Sequence, residues 1–425
     1  MSKQSFQYPN SHSIHSSQLA LDSVPVQAPT SYGNHNSLCT PLVQSTTFVR
    51  SEIGGGEGFA YSRVSNPTVD SLERQLGRLE DSPPAVCCSS GLAAEQVLFL
   101  SVLKAGDHVI CGQAVYGGTT RLLQQVLSGL GIETTFVDCS RVSEVEQAFQ
   151  ANTRLVFLES PANPTLQLTD VATIVGIAHP RGILVAVDNT FLTPLGQRPL
   201  DLGADIAVYS TTKLIEGHST ALGGSLVARD TNLLERFRFI RKSIGCIQTP
   251  GNAWQTLQGL KTLAIRLRVQ FENAARVARW LETRSEIASV FYPGLEATPQ
   301  RELAERQHRL GHGNVVTFEL AGGYTATLAF VRRLKLCRLV EHVGSVETLI
   351  THSASMTHAD VPDELRRAAG ISDGLLRLSV GIEDWQDVVD DLFQAWQVDN
   401  VIGRRCDVNG VGVANREEQP CLAGR

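Results

Sequence analysis

The first sixty or so residues carry little apolar periodicity, and the pattern changes abruptly at Asn66-Pro67. From there Val69, Leu72, Leu76 and Leu79 recur at the spacing of one helical face. Asn suits an N-cap and Pro the first helical position, so a helix is expected to begin here. From about 85 to 230 the pattern becomes one of short apolar runs separated by helical stretches. The runs are AVCCS (85–89), HVICG (108–112), TTFVD (134–138), LVFLES (155–160), ILVAVDN (183–189), IAVYS (206–210) and GSLVA (224–228). Continuous runs of this kind suit strands buried on both faces. Alternating with helices, they predict a layered α/β domain on a mostly parallel seven-stranded sheet.

Residues 251–284 read as one long helix linking two lobes, with Trp254, Leu257, Leu260, Leu263 and Leu267 on one side. The remainder mixes helical and strand patterns, as in a smaller C-terminal α+β domain. The expected division is an arm (1–60), a large domain (61–255), a small domain (256–398) and a frayed tail (399–425). The run Gly54–Gly58 reads as an entrance loop.

Composition narrows the function classes. A chain of 425 residues with 42% hydrophobic and 19% charged residues matches a globular enzyme. A net charge of -6 argues against nucleic acid as the main partner. No apolar stretch approaches the roughly 18 residues of a membrane span, and the N-terminus lacks the basic start and apolar core of a secretory signal. The nine cysteines show no C-x-x-C pair; Cys87 and Cys88, inside an apolar run, suit reduced core residues. The expected compartment is the cytosol.

Ligands in open α/β sheets bind beyond the carboxyl ends of the strands. Three such ends carry unusual chemistry. SSGLAA places Gly91 and Leu92 at a strand-to-helix turn, either an ordinary tight turn or an anion site. Asp188 closes an apolar run, where a carboxylate needs a cap, an ion pair or a ligand. Lys213 follows IAVYSTT, as a snorkelling surface lysine or as an amine with a depressed pKa. Together, a phosphate cradle, a buried acid and a low-pKa lysine are what pyridoxal phosphate requires. His218, His352 and His358 lack metal-ligand spacing, so no metal site is expected.

The segments YSRVSNPT (61–68), SSGLAA (89–94), VYGGT (115–119), ESPANP (159–164), VDNTF (187–191), YSTTK (209–213), GLKTL (259–263), SASMTHADVP (353–362) and GISDGLLRLSVGIED (370–384) follow in order. They closely resemble the Cys/Met-metabolism family of pyridoxal-phosphate enzymes. The resemblance implies a fold-type I architecture whose large domain binds the cofactor. It implies that Lys213 carries the cofactor and shuttles protons, and that Asp188 pairs with the ring nitrogen. Gly91, Leu92, Ser210 and Thr212 would hold the phosphate, Tyr116 would stack on the ring, and Asn163 would touch it. Tyr61 and Arg63 would reach the phosphate of a neighbouring subunit, implying a homo-oligomer, naturally a dimer of dimers. Arg377 would clamp the carboxylate of a small amino-acid substrate, with Thr348 nearby.

The resemblance leaves the reaction less fixed than the cofactor. Gly118 stands where methionine γ-lyases carry Cys, which argues against that activity. Glu347 and Lys261 resemble the cystathionine-handling branch, whereas Ala60 and GHST (217–220) depart from it. The expectation is γ-replacement or γ-elimination, with cystathionine γ-synthase first and a homoserine-ester sulfhydrylase or cystathionine γ-lyase as alternatives. Glu347 is expected to hold the ammonium of the incoming cysteine.

Overall fold

The computed structural model describes residues 20–27, 38–54, 58–359 and 363–397. The expected tail, most of the arm and residues 55–57 of the entrance loop lie outside them.

All seven apolar runs are strands: β1 (Val86–Cys88), β2 (His108–Gly112), β3 (Glu133–Val137), β4 (Thr153–Glu159), β5 (Leu184–Asp188), β6 (Ile206–Tyr209) and β7 (Gly224–Ala228). They form one sheet in the order β1-β7-β6-β5-β4-β2-β3. Pairing is parallel from β6 through to β3, and β7 is antiparallel to both its neighbours. Successive side chains enter opposite cores. Val86, Cys88, Ile206 and Val208 pack on one face, and Cys87, Ala207 and Tyr209 on the other. With both faces covered, the central positions of the inner strands are apolar, which explains the unbroken runs, whereas the edge strand β3 is only partly buried. Cys87 and Cys88 are accordingly buried free thiols.

Helix α1 (Pro67–Leu79) starts where the sequence predicts, with the Asn66 side chain accepting from Thr68 N at 2.9 Å. Its apolar stripe, Val69, Leu72, Leu76 and Leu79, closes the core of Cys87, Ala207 and Tyr209. Each buried leucine contributes about 1.5–3 kcal/mol, so Leu76→Ala would weaken its docking by about 2–5 kcal/mol.

The stretch expected as one helix over 251–284 is two, Pro250–Leu260 and Leu263–Glu282. Thr262 leaves helical backbone (φ −109°, ψ 4°), and the Arg266 side chain joins Thr262 N on the carbonyl of Gly259, donating at 2.8 Å. Arg266 also holds the carbonyls of Leu214 at 2.9 Å and Ile215 at 3.3 Å. The break thus anchors the segment that follows Lys213. The second helix serves two cores, with Leu263 and Leu267 in that of Cys87, Ala207 and Tyr209, and Ala274, Val277 and Leu281 in that of a smaller sheet.

That sheet contains β8 (Ile287–Phe291), β9 (Val315–Leu320), β10 (Arg338–Leu339), β11 (Leu349–His352) and β12 (Leu375–Ser379). Its order is β10-β11-β12-β9-β8, antiparallel except for β10 with β11. The smaller C-terminal part is therefore built on a mixed sheet, which faces the carboxyl ends of β4, β5 and β6 across a cavity.

Candidate active site

The cavity has a volume of about 340 Å³. One wall begins at helix α2 (Gly91–Val102), whose N-cap Ser90 accepts from Ala93 N at 3.1 Å. Other N–H groups of this first turn have no partner within the helix. A Cβ at Gly91 would stand 2.9 Å from Ser210 Cβ, so only glycine lets the helix start and the end of β6 close on each other. Ser210 N is tied to Thr190 Oγ1 at 2.8 Å, and Thr212 Oγ1 to Gly223 O at 3.0 Å. The result is a small cradle of N–H and hydroxyl groups, open to the cavity through Gly91, Leu92, Ser210 and Thr212.

Three buried carboxylates stand along the cavity. Asp188 ends β5 and accepts from Thr190 N at 2.9 Å; burial pushes its pKa up to about 6. Glu159 ends β4 and accepts from Tyr116 N at 2.8 Å and Asn163 N at 3.0 Å; burial, then the charge of Asp188, raises its pKa. Glu95 accepts from Thr119 Oγ1 at 3.0 Å, while its Oε2 has no partner among the described residues. Burial first, then Asp188, pushes Glu95 up to about 8. An acidic end of this kind calls for a cation.

Two cations complete the site. Lys213 lies in the turn after β6, with its amide on Ser210 O at 3.2 Å. Its Nζ is 3.2 Å from His342 Nδ1, and burial, reinforced by Arg377, lowers its pKa to about 8. Arg377, in β12, donates through Nη1 to Asn163 Oδ1 at 2.7 Å and through Nη2 to Thr351 Oγ1 at 3.2 Å. Its Nε is buried without a partner among the described residues. Burial lowers its pKa to about 10, opposed by Glu159, so it stays charged at neutral pH.

Of the residues expected from sequence, Lys213, Asp188, Gly91, Leu92, Tyr116, Asn163, Ser210, Thr212 and Arg377 all line this one cavity. Four do not. Tyr61 is exposed, and Arg63 lies with its guanidinium 5.3 Å from the Tyr61 ring centre and Nη1 on Lys242 O at 2.9 Å. Thr348 is turned inward, its hydroxyl donating to Glu383 at 2.8 Å. Glu347 is exposed and accepts from Ser345 Oγ. The acid that lines the cavity from that loop is Glu341, and the side chain on Lys213 is His342. The sequence reading missed both, because the loop before β11 has no periodicity to register it. Glu95 was also missed, although a carboxylate among the apolar residues of GLAAEQVLF is itself a signal.

Comparison with known proteins agrees with this geometry. Residues 22–397 match the model of the Cys/Met metabolism PLP-dependent enzyme family. An L-methionine gamma-lyase of Fusobacterium nucleatum is 42% identical over 385 residues, spanning 88% of this chain and 97% of that protein. A cystathionine gamma-lyase of Mus musculus is 42% identical over 363 residues, spanning 85% and 91%. The crystal structure of cystathionine gamma synthase from Xanthomonas oryzae pv. oryzae, in complex with aminoacrylate and cysteine, superimposes with a TM-score of 0.86. It is 39% identical, and the match covers 89% of this chain and 97% of that one.

Proposed function

Because the chain belongs to the Cys/Met metabolism PLP-dependent enzyme family, we propose that it is a cystathionine γ-synthase, joining an activated homoserine ester to cysteine. A PLP-dependent enzyme of the trans-sulfuration type, it acts on sulfur amino acids by γ-elimination or γ-replacement. The observation that carries pyridoxal-phosphate chemistry on an amino acid is the meeting of Lys213, Asp188 and Arg377 in one cavity.

The residues fit pyridoxal 5'-phosphate. Gly91 leaves the cradle open, Asp188 is a buried acid with one donor, and Lys213 is an amine held near neutrality. In this reading Lys213 holds the cofactor covalently. Gly91, Leu92, Ser210 and Thr212 take its phosphate, Asp188 its ring nitrogen, and Tyr116 and Asn163 its ring. When bound, the cofactor supplies an electron sink for charge developing on the substrate carbons.

Arg377, the cation that lines the cavity from the smaller sheet, seats the substrate carboxylate. Released by the incoming amino group, the Lys213 amine takes the Cα proton and then moves protons at the neighbouring carbon, so that the γ group leaves. Its depressed pKa keeps a useful fraction neutral near physiological pH. Cysteine then supplies its sulfur to Cγ. The acid offered to its ammonium is Glu341, which lines the cavity where Glu347 does not. This moves the expected role of Glu347 to its neighbour in the same loop.

Gly118 supports a synthase over methionine γ-elimination. A Cβ there would meet the Tyr116 ring at 2.4 Å and Leu92 Cδ1 at 3.0 Å, so a cysteine would displace the tyrosine. Tyr61 and Arg63, exposed at 61–63 beside the apolar residues Val64, Phe239 and Ile244, are proposed to complete the site of a neighbouring subunit. The deciding experiment incubates the enzyme with homoserine esters and cysteine, sulfide or no thiol. The synthase reading expects cystathionine as the main product. Rapid 2-oxobutanoate release regardless of thiol would favour a lyase, and faster use of sulfide a sulfhydrylase; either outcome overturns it.

A further inference from the structure

The loop between β10 and β11 brings His342 to the reactive end of the cavity. Its Nδ1 lies 3.2 Å from Lys213 Nζ, and its carbonyl accepts from Arg377 Nη2 at 3.2 Å. The loop reaches this depth because position 344 has no side chain. A Cβ on Gly344 would stand 2.6 Å from Leu214 N and 3.0 Å from the Lys213 carbonyl carbon. Its φ of +85° is also one that glycine adopts freely. Ser379 Oγ then fixes the Gly344 N–H at 2.8 Å. One residue therefore touches the amine through its side chain and the carboxylate clamp through its backbone.

We propose that His342 is the proton partner of the free Lys213 amine, a neutral imidazole that accepts a hydrogen bond from Nζ, orients it and strengthens it as a base. A base is most useful when its pKa lies near the working pH. Burial and the charge of Arg377 both work against protonation of Lys213, and an acceptor on the amine opposes them. His342 can accept without competing for the proton. Burial first, then Lys213 and Arg377, hold its pKa down to about 4, with Glu347 acting the other way. The remaining charged or titratable groups around the cavity are Glu159, Asp188 and Tyr116 on the strand side, Glu95 and Arg121 on the α2 side, and Glu341 beside His342. Among the described residues, the side-chain hydrogen bond at Nζ is the one to His342.

The inference rests on Lys213 being the reactive amine. Its test uses the cofactor-free enzyme, labelled over a range of pH with an amine-reactive reagent and read at Lys213 by mass spectrometry. In His342→Ala the labelling midpoint should fall by about one pH unit, the scale of one charge-assisted hydrogen bond. His342→Gln, which keeps a carbonyl acceptor, should retain most of the wild-type value. The visible band of the lysine-bound cofactor, measured separately in each reconstituted enzyme, tells the two possible failures apart. If the band persists and the Ala midpoint matches wild type, the role of His342 is overturned. Equal displacement in the Ala and Gln variants would overturn it as well. If wild type forms no band, the reading of Lys213 fails first and the inference falls with it.

Discussion

Glu159 and Asp188 stand opposite each other in register at the carboxyl ends of β4 and β5, two buried carboxylates on neighbouring parallel strands. Adjacent strands lie about 4.8 Å apart, so each acid disfavours ionisation of the other. Their compensation differs. Glu159 has the N–H groups of Tyr116 and Asn163 and the opposing charge of Arg377. Asp188 has only Thr190. Asp188 is therefore the acid left to meet a cation arriving in the cavity, which is the part a ring nitrogen would play.

The same burial makes the cofactor-free protein sensitive to pH. Glu95 has its pKa raised from 4.5 to about 8 and Asp188 from 3.8 to about 6. Between those values the folded state binds more protons than the unfolded one, so these groups lower stability as pH rises. Glu95→Gln should leave the apoenzyme's thermal midpoint nearly unchanged at pH 4 and raise it at pH 8, by an amount equivalent to roughly 1–3 kcal/mol. Scanning calorimetry at the two values checks this; equal shifts at both would mean that Glu95 is not the buried acid responsible.

A site completed by a neighbouring subunit predicts complementation. Arg63→Ala and Lys213→Ala chains should each be inactive alone. Mixed under conditions where subunits exchange, they should regain part of the activity, because some hybrid sites combine an intact Lys213 with an intact Arg63. Exchange shown by mass spectrometry with no recovery would place Arg63 outside any shared site.

Glu341 and Glu347 can be separated by thiol. Glu341→Gln should weaken the use of cysteine by roughly fivefold, the value of an ion pair at an accessible rim. It should barely change the use of sulfide, which has no ammonium. Glu347→Gln should alter neither. Steady-state kinetics with both thiols gives the answer, and a cysteine-selective loss at Glu347 would return the role to the position expected from sequence.

The strand order was not legible in the sequence, but the strands were, because burial on both faces writes an unbroken apolar run. Positions at strand ends, such as Asp188 and Lys213, were legible for the complementary reason: a charge directly after such a run needs a partner. The helix break at Thr262 was invisible, since Leu260, Leu263 and Leu267 keep helical spacing across it while the cause, Arg266 reaching back to Leu214 and Ile215, is tertiary. The loop before β11 misled in the same way. Its acids at 341 and 347 look interchangeable in sequence, and only the close approach at Gly344 decides that Glu341 and Val343 line the cavity while His342 meets Lys213.

The most direct measurement of the central claim is where the cofactor attaches. The purified enzyme, loaded with pyridoxal 5'-phosphate and reduced with borohydride, should yield after digestion one modified peptide, with the pyridoxyl group on Lys213. Lys213→Ala should give no such peptide, no visible band and no turnover. A pyridoxyl group on another lysine, or normal turnover by Lys213→Ala, would contradict the account.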